Sequence, residues 1–191
     1  MLSQLPNDLL RRPQIRLHGK VDNAMLDRFL DQFDNALAAQ PPGPILVEVT
    51  TTGGDAETGR RIATDLITAR ERFGADLYFV GKSVVYSAGV TILSAFPPER
   101  RYLTQDCMLL VHERRLDKTL ELKGAMRAME ALVRDTLAEI ESARAMERRA
   151  FAVLVEGTQL SLDDLMKRID QSDWYLEARE AEALGLIRAV L

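Results

Sequence analysis

Three short stretches of the chain hold residue types able to do chemistry. Ser87 follows the apolar run Val84-Val85-Tyr86 and opens the small-residue pair Ala88-Gly89, Gly53-Gly54 stands just past the run Ile45 to Val49, and His112 follows Cys107 to Val111. A serine at the turn into a helix sits among backbone N–H groups that lack intrahelical partners. The macrodipole adds positive potential there, so an anion formed on or beside Ser87 would be stabilised. Ala88 and Gly89 let a second backbone approach that first turn closely. Each feature also has a plain alternative. Serine is a favoured helix N-cap, a lone histidine after an apolar strand is more often structural, and a glycine pair can be an ordinary turn. The segment TTGGDAETG has neither dinucleotide-fingerprint nor phosphate-loop spacing, which leaves a nucleotide site without support.

The elements that must position these residues follow from periodicity. From Asp22 or Asn23, apolar residues recur at Met25, Leu26, Phe29, Leu30, Phe33 and Leu37, which predicts a helix stopping before Pro41-Pro42-Gly43. Ile45 to Val49 reads as a central parallel strand, and a second helix presents Ile62, Ala63, Leu66 and Ile67. Leu77 to Val80 is the next strand and the Ser87 helix follows. Strand, glycine turn, helix, repeated, is the pattern of right-handed βαβ crossovers, and it sets both turns at strand carboxyl ends, where open α/β sheets place ligands. Ile15 to Leu17, Arg101 to Leu103, Cys107 to Val111 and Leu186 to Leu191 complete the expected strands, and Met1 to Gln14 reads as an arm. After Asp117 about forty residues carry a helical stripe through Leu122, Met126, Met129, Val133, Leu137 and Ile140. Ordinary globular helices run to about 20 residues, so this one either bends or serves a subunit interface. Ser161 to Ile169 is a further helix with Ser161 and Asp164 in capping-box spacing.

With 191 residues and 47% hydrophobic content, the chain is expected to form a single domain. A net charge of −4 gives nucleic acid or an anionic membrane nothing to bind, and no stretch approaches a membrane span. Arg11-Arg12, Arg60-Arg61, Arg114-Arg115 and Arg148-Arg149 read as solvated surface. One cysteine excludes an internal disulfide, and two histidines with one cysteine are too few for a His/Cys zinc site. Cys107 reads as a buried, inert thiol, and a cytoplasmic location without metal or cofactor is the expectation.

Taken together, the stretches resemble the proteolytic subunit of the ATP-dependent Clp protease, ClpP, within the wider crotonase-like fold, from about Ile15 to the end of the chain. Gly53-Gly54 with Gly59, Tyr86-Ser87-Ala88-Gly89, Met108 to His112, and Asp173-Trp174-Tyr175-Leu176 with Leu184-Gly185-Leu186-Ile187 match in the family's order. The resemblance implies a serine endopeptidase in which Ser87 attacks, His112 is base and then acid, and Asp173 orients His112. Asp163, Asp164 and Asp170 are the competing carboxylates for that last role. It further implies backbone N–H donors at Gly54 and Ala88 for the oxyanion, and peptide or unfolded-protein substrate lying beside Gly53, His112 and Glu113. It brings a homo-oligomeric ring and leaves an AAA+ unfoldase as an open partner. The chain departs from the family at Thr50-Thr51-Thr52 before the glycine pair, at the bulky Tyr86, and at Glu113-Arg114-Arg115 after His112, with no glycine-rich stretch following. A non-catalytic ClpP-like assembly or regulatory subunit is the alternative. A crotonase-like acyl-CoA enzyme, which has no need of a Ser-His pair, stands further off, as does a serine-lysine site using Lys123.

Overall fold

The structure is a computed structural model in which residues 7–39 and 43–191 are described. Residues 1–6 of the expected arm and the Pro41-Pro42 stop signal lie outside them. The rest of the arm is not loose. Asn7–Arg11 forms a short helix (α1) whose Leu9 is buried with Leu46, Val80 and Tyr102 on one face of the sheet.

Ile15–His18 (β1) leads to Asn23–Leu37 (α2), capped by the Asp22 carboxylate, which accepts the Met25 N–H at 2.9 Å. Ile45–Thr51 (β2) leads to Ala56–Phe73 (α3), where Asp55 is the cap and accepts the Thr58 N–H at 2.7 Å. That bond, chiefly, holds the Asp55 carboxyl below its ordinary range. β1, β2 and the next strand, Leu77–Tyr86 (β3), pair in parallel, so each connection between them is a crossover carrying a helix. Met25, Phe29 and Phe33 of α2 and Ile62, Ala63 and Leu66 of α3 pack with Leu17, Val47, Val49 and Phe79 of the sheet in the main core. Burial of each large apolar side chain contributes about 1.5–3 kcal/mol.

β3 is longer than the expected Leu77 to Val80, and its length carries the site. Its first half pairs with Arg101–Leu103 (β4) after the helix Ala88–Ser94 (α4). Beyond Ser83, which has φ 57°, the strand changes neighbour and its last residues, Val84 to Tyr86, pair with Met108–Val111 (β5). The Ser87 turn is thereby delivered next to the end of β5, where His112 stands.

The long helix is shorter than expected and begins later. Asp117 to Ala125 is not helical, Gly124 adopts φ 118°, and Met126–Val155 (α5) forms 30 residues of helix. Of the stripe, Leu122 lies before the helix, and Met126, Val133, Leu137 and Ile140 are exposed. Thr136, Glu147 and Leu154 are the buried residues of α5. Most of the stripe is therefore not core of this chain. Leu162–Gln171 (α6) is capped as expected, Ser161 accepting the Asp164 N–H at 3.1 Å and donating to its carboxylate at 2.6 Å.

Trp174-Tyr175 belongs to a strand, Trp174–Glu177 (β6), antiparallel to β5. Ala178–Ala183 (α7) follows. The final strand shrinks from the expected Leu186 to Leu191 to Ala189–Val190 (β7), beside β4. Leu186 and Ile187 instead enter the core.

Arg101, at the start of β4, is fully buried, and among the described residues no carboxylate forms a salt bridge with it. Its guanidinium donates to the carbonyls of Phe96 at 2.7 Å, Leu154 at 3.0 Å and Leu186 at 3.1 Å. One cation thus ties α4, the end of α5 and the chain after α7, and burial lowers its pKa to about 10, leaving it charged at neutrality.

Candidate active site

Ser87 occupies the N-cap position of α4 and does not act as a cap: its hydroxyl accepts no helix N–H. Its backbone lies at φ 55°, ψ −115°, a region costly for any residue with a side chain, by about 1–3 kcal/mol. The ladder holds it there. Ser87 donates its N–H to the Leu110 carbonyl of β5 at 2.8 Å, and Val90 donates back to the Ser87 carbonyl at 2.8 Å. A strained serine on a tight strand-to-helix turn, its hydroxyl bonded to none of the described residues, is the geometry of a presented nucleophile.

Gly53 and Gly54 allow the neighbouring turn to press against it. Both have positive φ, 91° and 149°. A Cβ on Gly53 would lie 2.8 Å from the Ser87 Cβ and 2.9 Å from the Tyr86 carbonyl oxygen. Val21 donates to the Gly53 carbonyl at 2.9 Å and accepts from Asp55 at 2.8 Å, which turns the Gly54 N–H away from Val21. Among the described residues no acceptor takes that N–H, and the Ala88 N–H is one of the unpartnered donors of a helix start. Thr51 supports the turn from below. Fully buried, it donates to the Gly19 carbonyl at 2.6 Å and accepts the Gly53 N–H at 3.0 Å. The threonine run is thus a structural support that the sequence did not disclose.

Gly54, Ser87, Ala88, His112 and Glu113 line one cavity of about 410 Å³. Val90, Val111, Met146, Ala150 and Phe151 form its apolar side, and Asp55, Arg60, Arg114, Arg115 and Glu147 charge its rim. Gly53 does not line it but lies behind Ser87. Arg114 is no solvated surface charge. Its N–H donates to the buried Glu147 carboxylate of α5, and its guanidinium donates to Glu57 of α3 at 2.6 Å. Arg114 first and Arg60 second hold the Glu57 carboxyl below its ordinary range.

His112 donates from Nδ1 to the Glu113 carbonyl at 2.6 Å; a carbonyl can only accept, so Nδ1 bears a proton, and in the neutral ring that leaves the lone pair on Nε2. Asp173 is held elsewhere. Its two carboxylate oxygens accept from Arg115 at 3.0 and 2.8 Å, and it lines a smaller adjoining cavity with Arg115 and Asp170. Among the described residues no hydrogen bond joins Ser87 to His112 or His112 to Asp173. The structure therefore gathers Ser87, His112, Gly54, Ala88 and Glu113, and leaves Asp173 one contact away. Asp163 and Asp164 are no competitors: they sit in the first turn of α6, where Asp163 pairs with Arg148 and Asp164 with Ser161. Cys107 is buried, and burial pushes its thiol up to about 12, which removes it as a nucleophile. Among the described residues no cluster of histidine, cysteine and acidic side chains could hold a metal ion, and no helix is long and apolar enough to cross a membrane.

The order of these parts along the chain is also that of a known family: the Clp protease family model matches residues 2–191. The chain belongs to the Clp protease family. It is 26% identical over 184 residues to the ATP-dependent Clp protease proteolytic subunit 3 of Rhizobium etli, covering 96% of this chain and 86% of that one. It is 27% identical over 179 residues to proteolytic subunit 2 of Treponema pallidum, covering 93% and 81%. A solved ClpP1 variant from Listeria monocytogenes superposes with a TM-score of 0.74 at 19% identity, over 97% of this chain and 94% of the other. The fold is thus that of ClpP, the crotonase-like arrangement expected from the sequence, and family membership supports a Clp-like protease.

Proposed function

We propose that the chain is a serine-type endopeptidase, one peptidase domain over residues 1–191, that cleaves peptide bonds of peptides or unfolded proteins. The observation that carries this reading is Ser87 itself, strained at the strand-to-helix turn, uncapped, and on one cavity with His112 and the Gly54 and Ala88 N–H groups. A hydroxyl is a weak nucleophile until a base takes its proton. In the proposed reaction His112 Nε2 accepts the Ser87 proton as Oγ bonds to the scissile carbonyl carbon, and the carbonyl oxygen becomes an oxyanion facing the Gly54 and Ala88 N–H donors. His112 then gives that proton to the leaving amine as the C–N bond breaks. Water, deprotonated by the same imidazole, releases the acyl group from Ser87. Asp173 orients His112 and stabilises its imidazolium, and the substrate backbone lies beside Gly53 and Glu113.

The apolar residues left exposed on α5, with Leu116, Leu120 and Leu122 before it, support assembly into a homo-oligomeric ring, as does family membership. The ATP-dependent relatives support an AAA+ unfoldase as partner, and a single, reduced cysteine supports the cytoplasm as its compartment.

The test is hydrolysis of fluorogenic peptides by the assembled protein. Ser87→Ala is expected to remove turnover by about three orders of magnitude or more. A second reading, a non-catalytic ClpP-like assembly or regulatory subunit, is favoured by the engagement of Asp173 with Arg115 instead of His112. Wild-type hydrolysis no faster than that of Ser87→Ala would select it.

A further inference from the structure

We propose that Arg115 is a positioning residue that acts on the site by withholding Asp173 from His112, so that the chain carries its orienting carboxylate latched. The functional consequence rests on the Ser87 peptidase reading; the latch itself rests on geometry.

The ladder ends one step short of the two residues. β5 and β6 pair Leu110 with Tyr175 and Val111 with Trp174, and the same register carried one residue further would set His112 across from Asp173. Opposed residues on such a rung have Cα atoms about 4.5–5.5 Å apart. Tyr86, immediately before Ser87, pairs with Leu110 and so joins the Leu110–Tyr175 row, its ring 5.8 Å from that of Tyr175 in an edge contact. With the backbones in register, transfer of the carboxylate to His112 requires side-chain rotation and no change of fold.

Two contacts from the segment Glu113 to Arg115 oppose that rotation. The Glu113 carbonyl accepts from His112 Nδ1 at 2.6 Å, which is the donor an orienting carboxylate would need. Arg115 donates to both oxygens of Asp173, at 2.8 and 3.0 Å. The segment is itself anchored between these contacts. Arg114 is held through its N–H by Glu147 of α5 and through its guanidinium by Glu57 of α3, two helices fixed in the core. Arg115 is therefore presented to Asp173 by an anchored backbone.

The latch is weak enough to open. The side chains of Arg115 and Asp173 are 72% and 39% exposed, and pairs in that setting are screened by water and salt. Occupancy of the competing states then differs by no more than about fivefold, the upper end of what exposed ion pairs give, and the bidentate geometry favours that end. Release of Arg115, by ionic strength or by another carboxylate that captures its guanidinium, frees Asp173 for His112.

The test pairs crystal structures of the wild type and Arg115→Gln with kinetics of Arg115→Gln, Asp173→Asn and the double variant. Both side chains are exposed, so folding is unaffected. In Arg115→Gln the Asp173 carboxylate is expected within about 3 Å of His112 Nδ1. Peptide turnover is expected to rise about three- to fivefold in kcat with KM unchanged, and this gain should vanish in the Asp173→Asn background. Wild-type crystals with Asp173 already on His112, an Asp173 that stays away from His112 in Arg115→Gln, or a gain that survives Asp173→Asn would overturn the latch. Absence of turnover in every variant, with the carboxylate nevertheless moving to His112, would sink the peptidase reading and leave the latch standing.

Discussion

The close approach of Gly53 to Ser87 allows a quantitative test with a built-in control. Gly53 has φ 91° and Gly19 has φ 92°, but a Cβ on Gly53 would meet the Ser87 Cβ at 2.8 Å and the Tyr86 carbonyl at 2.9 Å, whereas one on Gly19 would meet nothing within 4 Å. Alanine at either position suffers the backbone cost of positive φ, about 1–3 kcal/mol. Gly53→Ala alone adds an overpacking cost of about 1–3 kcal/mol, because the atoms it meets are the nucleophile's own Cβ and a backbone oxygen and neither is the end of a flexible side chain. The sum, about 2–6 kcal/mol, is a large share of the 5–15 kcal/mol typical of a domain. In thermal unfolding at about 2–4 °C per kcal/mol for a chain of this size, Gly53→Ala should fall roughly twice as far as Gly19→Ala. Whatever relief the fold finds must move Ser87, so Gly53→Ala should also lose reactivity toward a fluorophosphonate while Gly19→Ala keeps it. Equal melting losses and equal reactivity in the two variants would refute the close approach and the turn geometry built on it.

Asp173→Asn should leave folding intact and lower peptide turnover by about two to four orders of magnitude, measured by steady-state kinetics. Arg101→Met strips three buried carbonyls of a donor, and at about 1–3 kcal/mol for each acceptor left unsatisfied, urea unfolding should register a loss of about 3 kcal/mol or more. Cys107, with its thiol pushed up to about 12, should resist iodoacetamide in the native protein at mild alkaline pH and react fully once unfolded. Glu57 has a folded pKa below its ordinary 4.5, so its contribution to stability is present above that value and is lost as pH falls through the folded value. The melting difference between wild type and Glu57→Gln should accordingly be small but measurable above the ordinary value and shrink as pH falls below it.

Much of this site was legible because local patterns carry it. Apolar runs ending in glycine or serine marked β2 and β3, α2 and α3 followed from three-and-four spacing, and Asp22 and Ser161 marked the starts of α2 and α6. Tertiary contacts decided what was not legible. Trp174 to Glu177 is too short a strand to show alternation above noise, and it forms because β5 offers it a ladder. Asp117 to Ala125 has helical-looking apolar spacing, yet every residue of it is exposed, so no packing repays helix formation there. Arg101 showed only as the first residue of an expected strand, and its burial was not legible because two of its three carbonyl partners, Leu154 and Leu186, come from distant parts of the chain. The Arg115–Asp173 pair spans 58 residues, and the family resemblance that pointed to Asp173 could not say which cation would hold it.

The central claim is that Ser87 is an activated nucleophile, and intact-protein mass spectrometry after fluorophosphonate treatment tests it most directly. A helix-capping serine without a base does not react, whereas a serine assisted by His112 does. The account predicts one adduct per chain, mapped to Ser87, absent in Ser87→Ala and strongly reduced in His112→Ala. An unmodified mass for the assembled protein, or an adduct mapped to Ser83 or another residue, would contradict it.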